Sequence, residues 1–90
     1  MREKKVCWRQ QLTEALQENG ETWLDIVSNT MSEVEMDAMF YPGFGGADGC
    51  PFTVWTHGYV YFPASYDGAE LVASVPRNPN GVATNHIGGG

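Results

Sequence analysis

A chain of 90 residues with 11 Asp and Glu against 5 Lys and Arg carries a formal net charge of −6 and has room for one small domain. Hydrophobic residues at 42% and charged residues at 18%, with 3 Trp, 4 Tyr and 4 Phe, exclude wholesale disorder. One modest core is all that such a length builds, which leaves little stability to spare for a deep, strained catalytic cleft.

In chain order, Trp8, Leu12, Ala15 and Leu16 recur at helical spacing between Gln and Glu, and Asn19-Gly20 closes the run. This predicts an amphipathic helix over 5–19 with a glycine stop. Thr22 followed by Asp25 has the spacing of a capping pair, so Trp23, Ile26 and Val27 are expected in a short second helix ending near Ser28-Asn29. Ser32 with Glu35 is a fuller capping box, and Met31 and Met36 occupy the two positions of a hydrophobic staple. A third helix over about 33–40 follows from these signals.

From Tyr41 to Pro51 the chain is too rich in Gly and Pro for regular structure, and it reads as a crossing loop. The hydrophobic period then changes from 3.6 to 2. Phe52–Thr56, Tyr59–Tyr66 and Ala69–Val75, separated by His57-Gly58 and Asp67-Gly68, read as a three-stranded antiparallel meander with two-residue turns. Both turns are expected to use positive φ, which glycine adopts freely. The resulting fold class is α+β, with two or three N-terminal helices packed on a three-stranded antiparallel meander. The single domain 1–90 divides into a helical part 5–40, a Gly/Pro loop 41–51, a meander 52–76 and a polar tail 77–90.

Two-residue turns fix the register: Trp55 faces Val60, Thr53 faces Phe62, Ala64 faces Leu71, Phe62 faces Ala73 and Val60 faces Val75. These residues share one face, which by its apolar content is expected to be the core. The other face carries Phe52, Val54, Tyr59 and Tyr61. Two readings remain open for it. Tyrosines combine apolar area with a hydrogen-bonding tip and suit a protein-binding hot spot; equally, the aromatic face could be covered by the 41–51 loop. The first and third strands are edges, and one of them could pair with a second copy.

Charge placement bears on partners. From Gln10 through Pro76 there is no Lys or Arg, whereas ten carboxylates fall there, among them Glu33, Glu35 and Asp37. This argues against binding nucleic acid, whose phosphates need cations along the contact. A negative field of this extent would steer the chain toward a basic protein surface, although a merely solubilising acidic surface explains the same residues.

Chemical motifs are sparse. Cys7 and Cys50 are far apart with no CxxC, which argues against a disulfide framework or a zinc knuckle. Cys50 and His57 are the only close Cys/His pair, but seven residues of extended chain hold them roughly 23 Å apart, beyond hydrogen-bond reach. The run Gly43–Gly49 leads into a strand and has no P-loop lysine, so it is read as a conformational loop. Neither catalysis nor a metal or cofactor is expected. Arg77-Asn78 is the one plausible anion site, where a nucleotide held by Arg77 and stacked on Trp55 or a tyrosine is an alternative reading. The charged N-terminal run is not followed by an apolar stretch, and no window approaches the ~18 apolar residues of a membrane span, so a cytosolic protein is expected.

The runs Pro51–Thr56, Tyr59–Pro63, Tyr66–Glu70 and Ser74–Pro79, with His86 before Gly88-Gly89, resemble a group of small accessory proteins encoded by tailed bacteriophages and prophages. Gly20–Trp23 and Asp25–Thr30 fit the same group, so the resemblance covers most of 8–90. It implies a small, non-enzymatic binder acting in the cytoplasm of a bacterial host on a host or immunity protein, as anti-CRISPR-type inhibitors do. Under that expectation Tyr59, Tyr61, Phe52, Glu33, Glu35 and Asp37 form the protein-binding surface. Arg77, Asn78 and Trp55 would serve the alternative, a sponge for a nucleotide immune signal; a virion component is a further alternative.

Overall fold

The computed structural model describes residues 5–41, 49–66, 69–84 and 86, with nothing specified for the side chain of Tyr66. Helix α1 (Trp8–Glu18) is followed by a single 3-10 turn at Trp23–Asp25, strand β1 (Ile26–Asn29), helix α2 (Glu33–Asp37) and strands β2 (Val54–Thr56), β3 (Tyr59–Tyr66) and β4 (Ala69–Pro76). The strands form one antiparallel sheet in the order β1-β2-β3-β4. The α+β class is therefore as expected, but the sheet has four strands among the described residues, and the helical part is smaller.

The α1 boundary follows from local chemistry. Gly20 takes φ +73°, and its N–H donates to the Gln17 carbonyl, so the helix ends where a residue without Cβ is available. Upstream, Val6 is excluded from the helix because both its backbone groups pair with Phe40.

The expected second helix is corrected to one turn and a strand. The Thr22/Asp25 capping box does form, with Thr22 Oγ1 accepting from Leu24 N and Asp25 Oδ2 accepting from Thr22 N. The turn does not propagate, because Leu24 points outward at 96% exposure and the β-branched Ile26 and Val27 enter the sheet beside β2. A bulge between Ile26 and Ser28 accommodates this short edge strand. The strand equivalent to 52–56 is thus internal, correcting its assignment as a free edge; the edges are β1 and β4.

The Ser32/Glu35 capping box is present as expected, and Met31 and Met36 are both buried. Helix α2 nevertheless ends at Asp37, because Ala38 turns extended and carries the chain to Phe40, which pairs with Val6. The meander register matches expectation at Trp55/Val60, Ala64/Leu71, Phe62/Ala73 and Val60/Val75.

Apart from Ala73, which is buried, the face expected to be the core is the wrong one. Trp8, Leu12 and Leu16 of α1 cluster with Phe52, Val54 and Tyr61, and Met31, Met36 and Phe40 complete the core. Tyr61, Val54 and Thr56 are fully buried. Trp8 sits at the centre: its ring packs 4.8 Å from Phe40 and 5.0 Å from Phe52, and its Nε1–H donates to the Cys50 carbonyl at 2.9 Å. A Cβ on Gly49 would lie 2.7 Å from the Trp8 ring and 2.8 Å from that of Phe40, so the backbone passes there only as glycine. The turn at 57–58 is also built differently from expectation. Gly58 does not adopt positive φ; instead Gly58 N and Tyr59 N both donate to Thr56 Oγ1. The second turn, Asp67-Gly68, and the run 42–48 lie outside the described residues.

Candidate functional site

Inverting the sheet redistributes the expected site residues. Tyr61 and Phe52 are buried beneath α1 at 0% and 5% exposure, which removes them from any docking surface, and Tyr59 packs at the margin of the same core. The alternative in which the aromatic face is covered is the one realised, with α1 packed against Tyr61; most of the 41–51 loop lies outside the described residues.

The Tyr61 hydroxyl is satisfied by the segment that follows α1. Tyr61 Oη donates to Glu21 Oε1 at 2.5 Å, and Asn19 Nδ2 donates both to Tyr61 Oη at 3.2 Å and to Ser74 Oγ at 3.0 Å. Thr56 Oγ1 donates to the same Glu21 carboxylate at 2.9 Å. Burial, reinforced by the Glu21 carboxylate, raises the pKa of the Tyr61 hydroxyl, because ionising it would place a second negative charge against the first. At the far end of the sheet Glu70, also buried, accepts from Gly49 N at 3.0 Å. Among the described residues, no buried side-chain polar atom lacks a partner. The cluster is therefore a structural polar core that selects which face α1 covers.

The acidic residues divide by role. Glu35 caps α2 by accepting from Ser32 N at 2.9 Å. Glu33 and Asp37 hold Arg9 of α1, at 2.5 Å each, and the guanidinium also lies 5.7 Å from the Trp23 ring centre. The hydrogen bond from Arg9 lowers the Asp37 pKa, and its carboxylate partners raise that of Arg9. This exposed ion-pair network joins α1 to α2, so Glu33 and Asp37 are only partly free to meet a partner. Glu14 and Glu18 on α1 and Asp25 in the 3-10 turn are exposed, and among the described residues no cation is bonded to them. The helical layer is thus acidic on its outer side.

The expected anion site is partly assembled. Arg77 closes the β2–β3 turn: its N–H donates to the Gly58 carbonyl and its Nη1 to the Thr56 carbonyl, both at 2.9 Å. Arg77 and Asn78 line an open groove of about 540 Å³ with Asn80 and Thr84 of the exposed tail. Trp55 is not in that lining and lies on the outer face of the sheet. Both cysteines are free, and burial pushes the Cys50 thiol pKa upward, away from thiolate chemistry. Among the described residues there is no group of three His, Cys, Asp or Glu placed to hold a metal, and no helix is long and apolar enough to cross a membrane.

The surface that sequence reasoning missed is the outer face of the sheet. Trp55, Val60, Phe62, Leu71 and Val75 lie there, half-buried by their cross-strand neighbours and outside the core cluster. No family model matches the chain, and neither a curated protein nor a solved structure matches it.

Proposed function

We propose that this chain is a non-enzymatic binder that inhibits a host or immunity protein of a bacterium by docking on a basic surface of that protein. Segregation of charge carries the reading: Glu14, Glu18, Asp25 and Glu35 are exposed on the helical layer, where Arg9 is already engaged by Glu33 and Asp37. A field of one sign accelerates encounter with a basic partner and disfavours acidic ones. The phage resemblance supplies the class of partner, an anti-CRISPR-type or other anti-defence target in the host cytoplasm. Relative to the expected site, the docking residues move from Tyr59, Tyr61 and Phe52 to the carboxylates of α1 and the 3-10 turn.

The test is the native mass of tagged protein purified gently from a phage-infected host. A protein-sized increment that is lost in the Glu14→Lys/Glu18→Lys double variant supports the reading. An increment that survives both reversals and is unaffected by salt would overturn it. The groove beside Arg77 and Asn78 favours a second reading, sequestration of a small nucleotide, which predicts an increment of nucleotide size abolished by Arg77→Ala.

A further inference from the structure

The outer face of the sheet has a composition at odds with the rest of the molecule. Antiparallel sheets with one face in water ordinarily alternate apolar inward and polar outward. Here β2, β3 and β4 place Trp55, Val60, Phe62, Leu71 and Val75 on the side away from α1, in register across three strands. The row Trp55–Val60–Val75 crosses the sheet at the end of the β3–β4 ribbon nearest the β2–β3 turn, with Ser28 of β1 beside Trp55. None of these five side chains is charged, although the chain carries a net charge of −6; Arg77 lies at the border of the face, in the groove that Val75 also lines. The carboxylates of the helical layer and the buried Glu70 all belong to the other side of the sheet.

We propose that this face is the self-association surface of the protein, on which a second copy packs sheet against sheet to form a two-fold symmetric β-sandwich with the acidic helices outside. Charge decides the occupant. Two copies approaching through their helical layers would oppose Glu14, Glu18, Asp25 and Glu35 to one another, whereas the outer faces meet without any like-charge pair. A basic partner is drawn to the helical layer and gains nothing from an uncharged sheet. A second copy presents an equally uncharged, equally twisted surface, and two such sheets interdigitate at about −30° with roughly 10 Å between them. An isologous contact of this kind closes as a dimer and leaves no further patch exposed.

Dimensions set the strength. Strands β3 and β4 have eight residues each, so their ribbon is about 26 Å by 10 Å, and the short β1 and β2 add on the order of 100 Å². With side-chain relief, a pair of such faces buries on the order of 1,000 Å² in total, at the lower limit of specific interfaces. The dimer is expected to dissociate in the micromolar range, ~10–100 µM. The proposal does not rest on the identity of the inhibited partner, since it concerns the isolated chain.

Sedimentation velocity on the full chain, over concentrations bracketing ~50 µM, tests it. The expected result is a concentration-dependent rise from the 9.9 kDa monomer to twice that mass. Val60→Lys, which places a charge in the apolar row that joins β2, β3 and β4, should leave a monomer throughout. Val75→Thr keeps the branched shape and so preserves the fold if the lysine variant does not; it should raise the dissociation constant about three- to tenfold. A wild-type chain that stays monomeric across the range overturns the proposal. So does a dimer that forms equally well in Val75→Thr and in a folded Val60→Lys, because that dimer would be held by an edge strand or by the helices.

Discussion

On the inner face of the sheet Tyr61, Val54 and Phe52 lie under α1 and are shut off from water, whereas Trp55, Val60 and Phe62, one residue away along the same strands, remain half-buried on the outer face. By apolar content alone the outer face is the better core. The inner face is covered because its polar atoms have partners there: Glu21 and Asn19 receive Tyr61, and Glu21 also receives Thr56. Burying a hydroxyl without a partner costs several times what a single methylene contributes, so a few well-placed acceptors outweigh a modest difference in apolar area.

Two tryptophans, one on each face, give the sharpest way to break this contrast. Trp8→Ala removes the ring between Phe40 and Phe52 and should cost about 3–5 kcal/mol, enough to unfold much of a domain this small. Trp55→Ala, outside the core cluster, should cost about 1 kcal/mol or less. Urea denaturation followed by circular dichroism measures both, and equal losses would mean that the faces are not distinguished by burial. Next in size, Glu21→Ala leaves Tyr61 Oη and Thr56 Oγ1 without their shared acceptor and should cost about 2 kcal/mol by the same measurement.

The smallest effect is seen in pH. The Tyr61 hydroxyl has its pKa raised in the folded state, while its ordinary value is 10.0. The unfolded chain therefore releases this proton first. Its contribution to stability is intact below pH 10 and declines above it, toward the folded-state value. In an ultraviolet titration of the tyrosinates, one tyrosine should lag the others, and Tyr61→Phe should remove the lagging component. A titration in which all tyrosines ionise together would contradict the burial of Tyr61.

Much of the local structure was legible in the sequence. Asn19-Gly20 stops α1, Ser32 and Glu35 cap α2, and the meander pairs as turn arithmetic requires, because each of these depends on residues close together in the chain. What failed depended on distant partners. Ile26 and Val27 were read as helical because their capping pair is real; only the presence of β2, on the far side of the loop, makes them a strand. The choice of sheet face failed for the same reason. Tyr59 and Tyr61 read as a docking surface until Asn19 and Glu21 are brought against them. A hint was available: Asn19 and Glu21 flank the glycine that ends α1, where a helix packed on the sheet delivers polar groups to its margin. The roles of Glu33 and Asp37 were likewise hidden until α1 placed Arg9 beside them. Arg77 reads in the sequence only as a candidate anion ligand; its bracing of the β2–β3 turn through the Thr56 carbonyl depends on a contact 21 positions away and is not legible there.

The polar cluster at Glu21 also has a kinetic meaning. The β3–β4 hairpin joins neighbours in sequence and closes in about 1–10 µs, while Asn19 must reach Ser74 across 55 positions and β1 must reach β2 across the long connection that contains α2. During that interval the young hairpin offers two apolar sides to an arriving amphipathic helix. Hydrophobic attraction draws α1 to either, but only one side returns hydrogen bonds to the residues that trail behind it. Asn19 and Glu21 thus act as a proofreading mark: a helix on the other side of the hairpin would not meet the Tyr61 and Ser74 hydroxyls that they bond.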